Sequence, residues 1–450
     1  MPRRFPTPLL AALVLAAVAC GSGEEQPARR AAPPAGPPPP AAPEPDTPTR
    51  LTLAEAPPAP ADLDRALVLA LAPFEVSPEG RVLPKPLHAR ADYLIRRAGQ
   101  WVLGSFEDPE SNVFHKVMAY EPPVGGPGLL TLGGSAAAVK LWRLRDGKLV
   151  PETLWKKDFG GKFSRMRDGE SADLDGDGDQ DLAVATHDQG VVAVIRASVE
   201  GYVVEELDRE KDTFVHEIEI GDLDQDGALE IYATPSEPNR LDGTPQAGKV
   251  TRYVPARDSG RELAANLGTR HAKEILVGDV DGDGVDELYV SVEGETEGPR
   301  GATQLKTPVE ILRYDAGTPP DRGVVIARIR DRLCRFLTAG DVDGDGRREM
   351  VAAAFRSGLW LLRPGADPRQ PWDVALIDAD SSGFEHAAIL TDLDGDGRDE
   401  LYVASDDQGE VRRYVWLPDG RVGREVIHRV PVKGSAITWN IVPVPVSLLP

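Results

Sequence analysis

The sequence predicts an all-β protein, a β-propeller of four-stranded blades. Three observations predict this fold. An acidic nine-residue pattern occurs five times, its copies start 49 to 62 residues apart, and short β-type segments flank each copy. A period of roughly 40 to 60 residues made only of strands is typical of propeller blades.

Each copy of the pattern has carboxylates at positions one, three, five and nine, and a glycine at position six. Carboxylates at alternate positions of a tight loop can converge on one point, and oxygen ligands of variable geometry suit Ca²⁺. An EF-hand is excluded, because its bidentate Glu stands at position twelve between two helices. The pattern therefore predicts about five bound Ca²⁺ ions. Their predicted ligands are Asp173, Asp175, Asp177, Asp181, Asp222, Asp224, Asp226, Glu230, Asp279, Asp281, Asp283, Glu287, Asp341, Asp343, Asp345, Glu349, Asp392, Asp394, Asp396 and Glu400.

β-Type sequence lies on both sides of each acidic loop. Glu217–Gly221 precedes one loop and Glu287–Val290 follows another, and both are short and rich in β-branched or aromatic residues. A third strand and a fourth strand, such as Gly323–Arg328, complete the unit. Each loop is therefore predicted to join the first and second strands of a blade, and polar inserts such as Glu293–Lys306 are predicted as loops.

Two further units complete the predicted ring. One unit starts near His115 and has no carboxylate in its loop, Pro122–Gly128. The other combines Ala436–Val444 with strands near the opposite end of the chain. Those strands are Ala66–Leu71, Tyr93–Arg97 and Trp101–Phe106. A blade shared by both termini leaves no free sheet edge, so the sequence predicts seven blades over residues 62–450, with six and eight as alternatives.

The acidic loops and their flanking strands resemble the FG-GAP/VCBS repeat family, which includes the calcium-loop propellers of integrin α-subunits and of many bacterial surface proteins. The resemblance covers about residues 112–405 through the repeats. The motifs Phe-Gly and Gly-Ala-Pro, which give the integrin-type repeat its name, are absent. The tripeptides that end at His187, Pro235 and Ser405 occupy the positions where Gly-Ala-Pro would fall. The resemblance therefore implies the bacterial VCBS-like branch, without integrin-like partner binding.

The N-terminus resembles a lipoprotein signal peptide over residues 1–19. The apolar stretch Leu9–Ala19 has eleven residues, too few to span a bilayer of about 30 Å. The sequence around Cys20 resembles a lipobox, in which the Cys20 thiol takes the lipid. An ordinary secretory signal, with Cys20 incidental, is the alternative.

Residues 20–61 are rich in proline and alanine, which predicts a disordered tether. The predicted location is the cell envelope, outside the cytoplasm, with the chain lipid-anchored at the outer membrane or cell surface. The chain is predicted to be a monomer. Its net charge of −22 argues against a nucleic-acid partner, because phosphate binding needs a basic face.

A basic or imidazole side chain stands near the start of six first strands. These residues are His115, Arg167, His216, Lys273, Arg335 and His386. The first strand of a blade is innermost, so the six are predicted to surround one mouth of the channel and to bind an anion more strongly as the pH falls towards about 6. The alternative is that they pair with repeat carboxylates such as Glu217, Glu274 or Glu385.

Two functions follow from these features. The first is a non-enzymatic, calcium-stabilised propeller lipoprotein that binds a protein partner or a ligand, with an anionic glycan as the candidate. The alternative is a polysaccharide lyase similar to rhamnogalacturonan lyases, which include a calcium-bearing propeller and act on an acidic polysaccharide. No catalytic residue is assigned, because no nucleophile turn, zinc spacing or Cys-x-x-Cys is present. Aromatic rings and arginines at the channel mouth would favour the lyase. A flat polar face would favour the binding protein.

Overall fold

Seven antiparallel four-stranded sheets follow one another around a channel, which confirms the predicted seven-bladed propeller. The structure, a computed structural model, describes residues 48–160, 163–198, 201–235, 237–257, 260–299 and 303–450. The propeller lies within Thr49–Pro450. The innermost strand of each blade contacts that of the next, and the cycle closes between the last blade and the first.

Six strands precede the repeats in the described chain. They are β1 (Thr49–Arg50), β2 (Leu53–Glu55), β3 (Arg65–Val76), β4 (Val82–Pro86), β5 (Ala89–Arg97) and β6 (Gln100–Asp108). Of these, β3, β5 and β6 belong to the seventh blade, whereas β4 is a short strand that pairs with β3 beside it.

Blades 1 to 3 each contain four consecutive strands that run outward from the channel. Blade 1 consists of β7 (Val113–Tyr120), β8 (Gly128–Gly134), β9 (Ala137–Arg145) and β10 (Lys148–Lys157). Blade 2 consists of β11 (Met166–Ala172), β12 (Asp181–Thr186), β13 (Val191–Ser198) and β14 (Gly201–Arg209). Blade 3 consists of β15 (Val215–Gly221), β16 (Glu230–Pro235), β17 (Gly248–Tyr253) and β18 (Glu262–Gly268).

Blade 4 contains an insert. Its segments are β19 (Ala272–Gly278), β20 (Glu287–Val292), β21 (Glu295–Glu297), β22 (Gln304–Thr307), β23 (Val309–Tyr314) and β24 (Val324–Ile329). Within the part of the chain that the structure describes, β21 and β22 pair only with each other. The prediction of a loop at Glu293–Lys306 is therefore wrong for these segments, whose backbone groups pair as a small hairpin.

Blades 5 and 6 return to the simple pattern. Blade 5 consists of β25 (Cys334–Gly340), β26 (Glu349–Ala354), β27 (Leu359–Arg363) and β28 (Asp373–Asp378). Blade 6 consists of β29 (Ala388–Thr391), β30 (Glu400–Ser405), β31 (Glu410–Trp416) and β32 (Val422–Arg429). The last strand is β33 (Ala436–Pro445), and two single-turn 3₁₀ helices lie at Pro255–Arg257 and Val446–Leu448.

The second strand of each repeat blade is buried along its whole length, because neighbouring blades cover both of its faces. In β12, Leu182 and Val184 pack against blade 1, whereas Ala183 and Ala185 pack against blade 3. The sequence of a strand that is covered on both faces is a continuous run of apolar residues. The core of the protein is therefore divided into layers between adjacent blades.

Blade 7 takes strands from both ends of the described chain. β33 is innermost, and β3, β5 and β6 follow it outward. β33 pairs with β3 from Ala436, opposite Pro73, to Pro445, opposite Arg65. Since this pairing satisfies the inner edge of β3, the ring closes without a free sheet edge at the junction.

The segment 49–61, here called the strap, pairs with the outer strands of two blades and also contacts blade 7. β1 pairs in parallel with β28 of blade 5, and β2 pairs in parallel with β32 of blade 6. Arg96 of blade 7 then donates hydrogen bonds to the carbonyl oxygens of Ala59 and Pro60. The predicted disordered tether is therefore wrong for 49–61, because the outer strands offer unpaired backbone groups to which this segment bonds.

The predicted signal peptide, Cys20 and the remainder of the predicted tether up to residue 47 lie outside the described residues. Among the residues that the structure does describe, no helix has the length and apolar character needed to cross a membrane.

Candidate functional site

The five acidic loops join the first and second strands of blades 2 to 6, as predicted. The loop backbone is held by its first aspartate. Asp173 Oδ1 accepts hydrogen bonds from the N–H groups of Gly176 at 2.7 Å and Asp177 at 3.1 Å, and Asp173 Oδ2 accepts one from Gly178 at 2.9 Å. Gly178 has φ +92°, a left-handed conformation that favours glycine, which explains the invariant glycine at position six of the loop.

The predicted ligands converge to different degrees. In the loop of blade 4, Asp279, Asp281, Asp283 and Glu287 bring four ligand oxygens within 4.8 Å of one another. The other loops bring three together. Those sets are Asp173, Asp175 and Asp177; Asp222, Asp224 and Glu230; Asp341, Asp343 and Glu349; and Asp392, Asp394 and Glu400. The predicted ligands outside these sets are Asp181, Asp226, Asp345 and Asp396.

The four remaining carboxylates have identifiable surroundings. Asp226, Asp345 and Asp396 each form an ion pair with an arginine at or near the surface, namely Arg257, Arg347 and Arg398. The Oδ2 atom of Asp181 is buried and has no hydrogen-bond partner among the described residues. Burial and the nearby Asp175 raise the pKa of Asp181 to about 6.

These loops fit a hard divalent cation. The donors are carboxylate oxygens only, as Ca²⁺ prefers, and the orphaned oxygen of Asp181 lacks the positive partner that such an ion would supply.

An arginine from the third strand of the same blade contacts each acidic loop, which the sequence analysis did not predict. Arg313 lies 2.6 Å from Asp281 and 3.0 Å from Glu287. The others behave alike: Arg252 pairs with Asp224 and Glu230, Arg363 with Asp343 and Glu349, Arg413 with Asp394 and Glu400, and Arg196 with Asp175. The available signal was a basic residue near the end of every third strand.

Three tyrosines also contact the loops. Tyr289 donates a hydrogen bond to Glu287 Oε2 at 2.8 Å, and Tyr232 and Tyr402 donate to Glu230 and Glu400 at 3.3 and 3.2 Å. All three are buried. They fix the orientation of the carboxylate at position nine while they fill the space between blades.

The six predicted basic residues lie where the innermost strands begin, at the end of the channel opposite the acidic loops. Four of them meet carboxylates there. Arg335 and Arg167 lie 2.9 and 3.6 Å from Glu385, and Lys273 and His216 lie 2.5 and 3.6 Å from Glu237. His115 and His386 instead donate from Nδ1 to the carbonyl oxygens of Met166 and Ala354. The geometry therefore matches the alternative of pairing with a repeat carboxylate for Arg167 and Arg335, whereas Lys273 and His216 meet a different carboxylate, Glu237.

The histidines at this mouth carry no charge at neutral pH. Burial holds the pKa of His115, His187 and His216 well below the usual value, and it lowers the pKa of His386 to about 4. The prediction that these imidazoles become charged near pH 6 is wrong, because burial removes the water that would stabilise the imidazolium.

Half-buried aromatic rings surround the same mouth, and arginines stack on four of them. The guanidinium of Arg165 lies 4.6 Å from the ring centre of Phe163, Arg335 lies 4.6 Å from Phe384, Arg167 lies 5.1 Å from Trp439, and Arg332 and Arg356 lie 5.1 and 4.9 Å from Phe355. Phe214 packs edge-on against His187. We call this set of rings and arginines the aromatic mouth. Sequence reasoning missed it, although a Phe stands two residues before both His216 and His386.

Comparisons with known proteins agree with this architecture. Residues 173–233, from the first acidic loop to the second strand of blade 3, match the family model of the FG-GAP-like repeat. No curated protein matches the chain in sequence. The chain is similar to the crystal structure of a protein from Lactobacillus plantarum, at 11% identity and a TM-score of 0.53, over 85% of this chain and 99% of that one. A likeness at this identity shows the fold alone.

Proposed function

We propose that this FG-GAP repeat β-propeller is a non-enzymatic binding protein of the bacterial cell envelope, that Ca²⁺ in its five acidic loops stabilises it, and that the aromatic mouth binds an acidic glycan. We infer the class of ligand from the arginines that stack on half-buried aromatic rings at the mouth. The apolar face of a sugar packs on aromatic rings, and a guanidinium pairs with a carboxylate or sulfate through two parallel hydrogen bonds.

The arginines available to a ligand differ from the six residues predicted from the sequence. Arg165, Arg332 and Arg356 form no ion pair with any residue that the structure describes, and Arg332 and Arg356 are exposed. Arg167 and Arg335 are already paired with Glu385. An acidic ligand would therefore find its positive partners on the outer side of the mouth.

Titration with oligogalacturonate and with a sulfated glycan tests the ligand. Arg356→Ala is expected to weaken binding by about tenfold or more, because it removes charge-assisted hydrogen bonds from an exposed site. Added salt is expected to weaken binding as well. Arg421→Ala is the matched control, since Arg421 is exposed and lies in the turn between the third and fourth strands of blade 6. Equal binding by Arg356→Ala and wild type, or no binding of either glycan, would contradict the proposal.

The aromatic mouth is itself the feature that favours the lyase, which is therefore kept as the second candidate. Non-enzymatic binding is placed first because no residue of this sequence matches a lyase motif. Two histidines give the lyase further support. The Nδ1 atom of His187 and the Nε2 atom of His115 have no hydrogen-bond partner among the described residues, and both rings are neutral at pH 7. A neutral imidazole with a free nitrogen is the form in which a histidine acts as a general base, but burial lowers the pKa of both rings and makes each of them a weak base. Ultraviolet absorbance during the same titration distinguishes the candidates, because a lyase produces an unsaturated sugar and a binding protein does not.

The envelope location rests on the lipoprotein-type N-terminus. Cys20→Ala is expected to move the chain from the membrane fraction to the soluble fraction, or to leave it unprocessed, because the eleven-residue apolar stretch is too short to act as an anchor. Cys334→Ala is the control, since this thiol is buried in β25. N-terminal sequencing of the mature protein checks the assignment, and a mature chain that starts at any residue other than 20 would refute it.

A further inference from the structure

The contact between each acidic loop and a third-strand arginine does not depend on one strand position. Arg252, Arg313 and Arg413 stand directly opposite the tyrosine that follows the loop by two residues. Blades 2 and 5 have Ala183 and Val351 in place of that tyrosine.

In those two blades the arginine stands further along the third strand. Arg196 and Arg363 each follow the last residue that pairs with the second strand. Those residues are Ile195, opposite Leu182, and Leu362, opposite Met350. Two different registers thus bring a guanidinium to equivalent carboxylates. The contact therefore does not depend on one register of strand pairing.

Blade 1 provides a natural comparison, because its loop has no acidic cluster. Its third strand also carries an arginine, Arg143, which donates a hydrogen bond to the carbonyl oxygen of Gly126 at 3.1 Å and pairs with Glu152. In this blade the guanidinium meets a neutral loop. The acidic loops are thus the ones in which the arginine opposes a cluster of negative charge.

The charge of the loop explains what the arginine does. Carboxylates that converge at a partly buried site destabilise the fold unless positive charge lies close to them. The Arg313 side chain is only 1% exposed and contacts Asp281 and Glu287 as well as Asp315. A guanidinium so placed compensates the carboxylates when no metal ion is bound. It also reduces the net negative charge that attracts a divalent cation.

We propose that the third-strand arginines are built-in counter-cations, which keep each blade folded when Ca²⁺ is absent and which weaken Ca²⁺ binding at their loops. The inference rests on the proposed binding of Ca²⁺ to the loops. It predicts that the loops differ. Arg196 contacts Asp175 at 3.3 Å and leaves the Oδ2 atom of Asp181 without a hydrogen-bond partner among the described residues, so the loop of blade 2 depends on the ion most.

Neutral variants of the arginines test the inference. Arg313→Gln is expected to lower the melting temperature by several degrees more in EGTA than in excess Ca²⁺, and to strengthen Ca²⁺ binding at that loop by roughly tenfold. Arg363→Gln tests the same idea where the side chain is 35% exposed, in case the buried variant does not fold. Arg143→Gln is the control, and its effect is expected to be the same with and without Ca²⁺.

Melting curves and calorimetric titration with CaCl2 separate the possible outcomes. A fall in melting temperature that is equal in EGTA and in Ca²⁺ would show that the arginines are structural only. Weaker Ca²⁺ binding by the variants would show that they organise the ligands and do not oppose the ion. Either result overturns the inference while the calcium proposal stands. If neither wild type nor variants bind Ca²⁺, the calcium proposal and the inference both fail.

Discussion

Ending the chain at Ser435 is expected to prevent formation of the closed ring. This truncation removes β33, which forms the inner edge of blade 7 and pairs with β3. It also removes four buried apolar side chains, those of Ile441, Val444, Leu448 and Leu449. At about 1.5–3 kcal/mol for each buried side chain, the loss is about 6–12 kcal/mol, which is comparable to the whole stability of a typical domain.

A single substitution gives a milder form of this experiment. Ile441→Ala is expected to lower the free energy of unfolding by about 2–5 kcal/mol, because the cavity that it leaves lies between blades. Val203→Ala, on an outer strand where the side chain is 63% exposed, is expected to change it by less than about 0.5 kcal/mol. Denaturant unfolding checks both values. A truncated chain that unfolds cooperatively at the wild-type midpoint would show that ring closure does not hold the fold.

Asp281→Asn is expected to destabilise the protein by about 3 kcal/mol in the presence of Ca²⁺. Two effects add. The change removes one of the four carboxylates that converge in the loop of blade 4, and it removes a partner of the buried Arg313. Breaking a buried ion pair costs about 3–5 kcal/mol, and the lower end applies because Arg313 keeps Glu287 and Asp315.

The matched control for this prediction is Asp345→Asn. Asp345 is at position five of the blade 5 loop, outside the converging set, and pairs with an Arg347 side chain that is 71% exposed. Its loss is expected to leave the melting temperature almost unchanged, because an exposed ion pair contributes little to stability. Thermal unfolding with Ca²⁺ and with EGTA measures both variants. EGTA should lower the melting temperature of the wild type more than that of Asp281→Asn, and an unchanged wild-type melting temperature would argue against a stabilising ion.

The repeat, and with it the propeller fold, could be predicted from the sequence. The acidic loop is recognisable from local spacing, because its nine positions are consecutive in the sequence. The glycine at position six indicates a left-handed backbone conformation at that position. Repetition at an all-strand period then indicates blades, and the seventh blade follows because a ring must close. These features are local or periodic, so they can be read along the chain.

Which charged side chains contact each other could not be predicted from the sequence. Arg313 contacts Asp281 from a strand 32 residues away, and Arg335 contacts Glu385 at a separation of 50 residues. Such pairs are formed by the register of strands and by the approach of distant blades around the channel, and the spacing of residues along the chain does not encode either one. For the same reason the strap at 49–61, whose composition resembles a free tether, is recognised only from the sheet edges that it covers.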